Sequence, residues 1–204
     1  MRIGIILGSI RNERRTESVA HWIHQSAEKR VADGKAADGV TYELLDLASF
    51  DVPLLTASAI PSSANRQYDD ERVRAWSRAI DGCDGFVFVT PEYNRSIPGA
   101  LKNAIDWASR PWGQNSFVNK PTAVIGTSPG IIATAIGQQH LKAILGFCNT
   151  RQLTTPEAYV QFTPGLIDED GNVTDDDTRG FLTLFMKEFD EHTRRVLTVL
   201  PPQR

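Results

Sequence analysis

The chain has 204 residues, 41% of them hydrophobic, and a formal charge of −3 at pH 7, enough for one good-sized domain over 1–204 and too little for two. That balance offers no basic field for nucleic acid. Two cysteines without a C-x-x-C pair favour a reducing cytoplasm, and no apolar stretch reaches signal-peptide or membrane-spanning length.

The first apolar run, Ile3 to Leu7, predicts a strand over 3–8. It ends in Gly8-Ser9-Ile10-Arg11-Asn12-Glu13-Arg14-Arg15-Thr16-Glu17-Ser18, and a helical pattern follows over 17–32. A Gly-Ser loop that opens a helix favours an anion site, because free backbone N–H groups and the positive dipole end converge there. Ser9, Thr16 and Ser18 add hydroxyls. Arg11, Arg14 and Arg15 add charge-assisted donors, each worth about 1.5–3 kcal/mol when well placed. The loop fits neither G-x-x-x-x-G-K-[ST] nor G-x-G-x-x-G. A mononucleotide phosphate remains, against the alternative of a merely solvated basic loop. His21 and His24 stand three apart with no third ligand nearby, so no metal is expected.

A strand over 40–46 precedes a long, uneven loop over 48–68, and a helix is expected over 69–82. Phe86-Val87-Phe88-Val89 predicts a buried strand over 85–90, followed by the stiff polar loop Pro91-Glu92-Tyr93-Asn94. Ile97, Leu101, Ala104, Ile105 and Ala108 form one face of a helix over 97–110, with Ser96 as its expected N-cap and Pro98 in its first turn. Trp107 and Trp112 bracket the end of that helix, either as partly buried core or as an interface or substrate wall. A strand over 121–127 leads into Gly126-Thr127-Ser128-Pro129-Gly130, then a helix over 134–148, a strand over 155–160 and a helix over 176–199. Cys83 and Cys148 read as small core residues. The acidic run 168–177 fails the EF-hand pattern, and Thr174 with Asp177 reads as a cap for the last helix.

Alternating strands and helices imply a three-layer α/β/α sandwich. Five parallel strands in the flavodoxin-like order 2-1-3-4-5 place a switch point between strands 1 and 3. The Gly8–Ser18 and Pro91–Asn94 loops follow those two strands, so one crevice should hold both. The Gly126–Gly130 loop should border it.

Gly8-Ser9-x-Arg11, then Pro91-Glu92-Tyr93-Asn94-x-Ser96-x-Pro98-Gly99-x-Leu101-Lys102-Asn103-Ala104-Ile105-Asp106-Trp107, then Ser128-x-Gly130, closely resemble the NADPH-dependent FMN reductase family in order and spacing over nearly the whole chain. That family includes quinone, chromate and azo-dye reductases. The resemblance implies non-covalent FMN, with its phosphate on Ser9, Arg11, Arg14, Thr16, Glu17 and Ser18. The flavin ring would rest on Pro91, Glu92, Tyr93 and Asn94, edged by Ser128 and Gly130. Backbone N–H groups of Glu92–Asn94 would polarise the ring, and no catalytic side chain or metal is needed. NADPH or NADH would reduce the flavin in a ping-pong cycle, and quinones, azo dyes, chromate or free flavin would accept the electrons. Homodimers or homotetramers are implied. Ile136 and Gln139 stand where some members carry Arg and Tyr, which weighs against the tetramer. A flavodoxin-type electron carrier and a redox-sensing flavoprotein are the rival readings.

Overall fold

The computed structural model describes residues 1–37, 39–58, 63 and 65–201. Strands β1 (Arg2–Leu7), β2 (Thr41–Asp46), β3 (Gly85–Thr90) and β4 (Pro121–Ser128) lie parallel in the spatial order β2-β1-β3-β4. The fifth position is shared. β5 (Arg151–Gln152) pairs with Pro121 and Thr122, and β6 (Ala158–Gln161) pairs with Ile125 to Ser128. The expected strand over 155–160 forms only from Ala158, and the short β5 ahead of it is not among the expected strands. Pro156 has no N–H to give to a ladder, and pairing resumes only at Ala158.

Side-chain alternation along the strands builds two cores. Ile3, Ile5, Leu7, Val87, Val89 and Ile125 face helices α1 (Thr16–Ala32) and α6 (Asp176–Val199). Ile6, Phe86, Phe88 and Val124 face α3 (Glu71–Asp81), α4 (Gly99–Ala108) and α5 (Ala135–Phe147). Burial on both faces explains why these strands read as continuous apolar runs rather than alternating ones. Cys83 and Cys148 are buried free thiols as expected, and burial pushes both up to about 11, which keeps them protonated and unreactive near neutrality.

Two helix starts differ from expectation. Pro98, not Ser96, is the N-cap of α4. Ser96 pairs instead with Tyr93 in an isolated antiparallel bridge. Helix α6 is capped by Asp175, whose carboxylate accepts from the Thr178 N–H at 2.7 Å. Thr174 donates its hydroxyl to the Gly165 carbonyl at 2.7 Å. In both cases a neighbouring residue of the right chemistry lies one to two positions from the true cap, a shift that local sequence does not resolve.

A short helix, α2 (Leu47–Phe50), opens the long loop after β2. Residues 59–62 and 64 of that loop lie outside the described residues. Its first part is held by α4. The Asn103 amide donates to the Pro53 carbonyl and accepts from the Leu55 N–H, and the Trp107 indole donates to the same Pro53 carbonyl, all at 2.8–2.9 Å. Trp107 is thus a buried anchor. Trp112 is exposed and packs against exposed Phe147, ring centroids 5.2 Å apart. Among the described residues no helix is long and apolar enough to cross a membrane.

Candidate active site

The carboxyl ends of β1 and β3 converge because Gly8 lets them. A Cβ at Gly8 would stand 2.8 Å from Leu101 and 3.2 Å from the Val89 carbonyl, which the Gly8 N–H meets at 2.9 Å. Ser9 follows, 1% exposed. Its hydroxyl lies 3.0 Å from the Tyr93 hydroxyl, although the two residues are 84 apart in sequence. That contact joins the two loops the sequence singles out.

The first loop sorts its arginines into different jobs. Arg14 donates to the Ser9 carbonyl at 2.8 Å and to the Asp46 carboxylate at the end of β2 at 2.7 Å. Its side chain is 10% exposed, with Glu17 3.5 Å away. Arg14 therefore holds the loop in shape, and its guanidinium is largely committed. Arg15 lies over the Phe162 ring, 5.9 Å from its centroid. Arg11 is exposed, and its guanidinium has no hydrogen bond or ion pair among the described residues. Thr16 begins α1, and its buried hydroxyl has no hydrogen-bond partner there. The Ser18 hydroxyl donates to the Arg15 carbonyl at 3.0 Å. The residue at the α1 N-cap, Arg15, makes no side-chain cap bond. A free guanidinium, an orphaned buried hydroxyl and an uncapped helix start are a donor set suited to a phosphate.

The second loop is a two-residue hairpin. Tyr93 and Ser96 exchange backbone hydrogen bonds at 2.8 and 3.0 Å, and Asn94 and Arg95 between them have φ of 51° and 65°. This is the type I′ pattern, which Asn tolerates and Arg does not favour. Since the Tyr93 N–H is spent on Ser96, the N–H groups of Glu92 and Asn94 are the ones in this segment without a partner among the described residues. Glu92 is 10% exposed at its side chain. Its carboxylate accepts from the Gly137 N–H at 2.8 Å, in the first turn of α5.

The third loop follows β4. Ser128 is half-buried, and a Cβ at Gly130 would meet only the Ser128 hydroxyl, at 3.7 Å, so this edge is open. Ile131 and Ile132 come next, 87% and 42% exposed. Sequence reasoning did not single out this apolar edge, nor Asp46 and Phe162. An Ile pair directly after a Ser-x-Gly turn is the signal that was available. The residues weighed for a metal are placed otherwise. His24 sits between Glu28 and the Tyr42 carbonyl, and Asp168 accepts from the Asn172 N–H in a turn.

A hollow of about 1190 Å³ lies at the opposite end of the strands, with Arg2, Asp84, Ser116 and Lys120 in its wall. It has no glycine-bearing strand-to-helix loop, and its cations are already engaged, Arg2 with Glu43 and Lys120 with the Ile80 carbonyl. The carboxyl-end crevice is the better candidate on chemistry.

A doubly wound parallel sheet with its open loops at the crevice between strands 1 and 3 defines a flavodoxin-like α/β protein. The chain belongs to the NADPH-dependent FMN reductase family, whose model matches residues 1–164. It is an oxidoreductase. It is 36% identical over 192 residues to a 2-hydroxy-1,4-benzoquinone reductase from Burkholderia sp., covering 93% of this chain and 94% of the relative. It is 30% identical over 197 residues to a quinone reductase from Escherichia coli, covering 96% and 97%. Among solved structures it is similar to FerB, a flavoenzyme NAD(P)H:(acceptor) oxidoreductase from Paracoccus denitrificans, with a TM-score of 0.77, 34% identity and coverage of 95% and 97%.

Proposed function

We propose that the chain binds FMN non-covalently in the carboxyl-end crevice and uses NADPH or NADH to reduce a quinone, azo-dye, chromate or free-flavin acceptor. The observation that carries this reading is the meeting of the two loops at Ser9 and Tyr93, together with the partnerless Thr16 hydroxyl in the first of them. Ser9, Arg11, Thr16 and Ser18 would hold the phosphate. Arg14 and Glu17 would keep that loop in shape. Pro91, Glu92, Tyr93 and Asn94 would carry the ring, with Ser128 and Gly130 at its edge. Bound there, FMN would supply two-electron chemistry between a nicotinamide and an acceptor.

The chain's own contribution is binding, orientation and polarity. The free Glu92 and Asn94 N–H groups can stabilise negative charge on a neighbouring ring. The open edge at Gly130 leaves room for a flat acceptor. The quinone reductases among the relatives support the acceptor class. We further propose one domain over 1–204, a homodimer and a cytoplasmic setting.

The experiment is flavin binding to the purified protein. FMN should be retained or taken up, giving a yellow protein. Steady-state rates with NADPH and a quinone should then give parallel double-reciprocal lines, since one crevice serves both in turn. Equilibrium dialysis without FMN uptake at micromolar protein would remove the reading.

A further inference from the structure

We infer that Glu92 is a positioning residue, whose carboxylate caps helix α5 and thereby fixes the Tyr93–Ser96 hairpin for the flavin ring. The inference rests on the FMN reading above.

Helices α2, α3 and α6 begin with a local Asp cap, at Asp46, Asp70 and Asp175. Helix α5 does not. Its N-cap, Thr134, makes no side-chain cap bond, and its hydroxyl is taken by the Gln138 amide at 2.9 Å. The α5 cap comes instead from Glu92, 45 residues earlier, which accepts from the Gly137 N–H at 2.8 Å. A carboxylate at that place also meets the positive end of the helix dipole.

The contact is close enough that a side chain at Gly137 would have to push the hairpin aside by a few tenths of an ångström. A Cβ at Gly137 would stand 3.1 Å from the Ser96 carbonyl and 3.2 Å from Glu92 Cγ. One turn further along α5, His140 Nδ1 lies 3.1 Å from the Ser96 hydroxyl. So the start of α5 grips the hairpin on both sides, at Glu92 before it and at Ser96 after it. Of the three residues between them, Asn94 and Arg95 hold left-handed backbone, a conformation that persists where its surroundings fix it.

The test compares Glu92→Ala, Glu92→Gln and Gly137→Ala with the unaltered protein, using amide exchange on the flavin-free protein and titration with FMN and riboflavin. In Glu92→Ala the Gly137 amide should exchange at least about tenfold faster, the cost of a lost bond to a charged acceptor. Both flavins should weaken by the same factor, about tenfold, because the ring is common to them. Glu92→Gln keeps an acceptor oxygen without the charge and should recover part of both losses. Gly137→Ala leaves Glu92 in place but pushes on Ser96, and should weaken both flavins alike. Thermal unfolding of each variant separates a lost fold from a lost position, and Gly137→Ala reads the same contact if Glu92→Ala does not fold. Flavin affinities within about twofold of the unaltered protein in both alanine variants would overturn the inference. So would Glu92→Gln binding as weakly as Glu92→Ala, which would assign the effect to charge. Unaltered protein that binds neither flavin would overturn the FMN reading itself, and with it the role given to Glu92, whatever happens at the Gly137 amide.

Discussion

The two ends of the sheet treat charge in opposite ways. At the amino end, cations are matched. Arg30 Nε donates to Asp190 at 2.6 Å, and the Tyr42 hydroxyl donates to the other oxygen of that carboxylate. Arg2 pairs with Glu43, and Lys120 is turned in over the Phe86 ring to reach the Ile80 carbonyl at 3.0 Å. At the carboxyl end, Arg11 is unpaired among the described residues, Thr16 buries a hydroxyl with no partner, and Asn94 and Arg95 hold left-handed backbone. The amino end ties its cations into the fold, although Ser116 there also buries a hydroxyl without a partner, whereas the carboxyl end leaves the cation Arg11 uncommitted.

Breaking the matched end should have the largest effect. Asp190→Ala leaves Arg30 and Tyr42 without their shared acceptor in a largely buried place, and should cost about 3 kcal/mol of stability. Chemical denaturation reads this. The FMN-to-riboflavin affinity ratio should stay as it was, and a changed ratio would show that the two ends are coupled.

At the open end, Arg11→Ala should weaken FMN by about 1.5–3 kcal/mol and riboflavin far less. Equal losses for the two flavins would move Arg11 from phosphate binding to loop support. Thr16→Val sharpens the contrast further. Removing a hydroxyl without a partner should leave the stability of the flavin-free protein unchanged or slightly higher, while FMN weakens by about 1 kcal/mol. A loss of stability with no loss of FMN affinity would place that hydroxyl with the scaffold.

The smallest effect is expected from Cys83, near the amino end. Burial pushes its thiol from 9.0 up to about 11. In the unfolded chain the thiol ionises first, so its contribution is intact below about pH 9 and fades as pH climbs toward 11. Cys83→Ala should make the decline in stability over that interval shallower. An unchanged slope would mean the thiol titrates alike in both states.

The strands and the crevice were legible in the sequence because their signals are local. Phe86 to Val89 and Ile3 to Leu7 are apolar runs, and the residues after them are glycine, serine, proline and asparagine. What was not legible depends on partners far along the chain. Arg14 reaches Asp46 across 32 residues, so a loop arginine that reads as a phosphate ligand also braces the loop. Glu92 reaches Gly137 across 45, and no spacing rule signals that bond. Ser96 illustrates a different limit. Ser-x-Pro-Gly at a helix start offers several plausible caps, and only the Tyr93–Ser96 bridge decides that the helix begins after Pro98.

The contact between Ser9 and Tyr93 has a consequence for how polarity travels. A serine hydroxyl carries one proton and two lone pairs. If the Tyr93 phenol donates to Ser9, the serine proton is released to point elsewhere, toward any anion seated against the α1 start. Tyrosine, serine and anion then form a chain of donors running in one direction, each bond polarising the next. The residue that reads as a wall for a flat ring would in that arrangement also feel charge at the far loop, through a single oxygen.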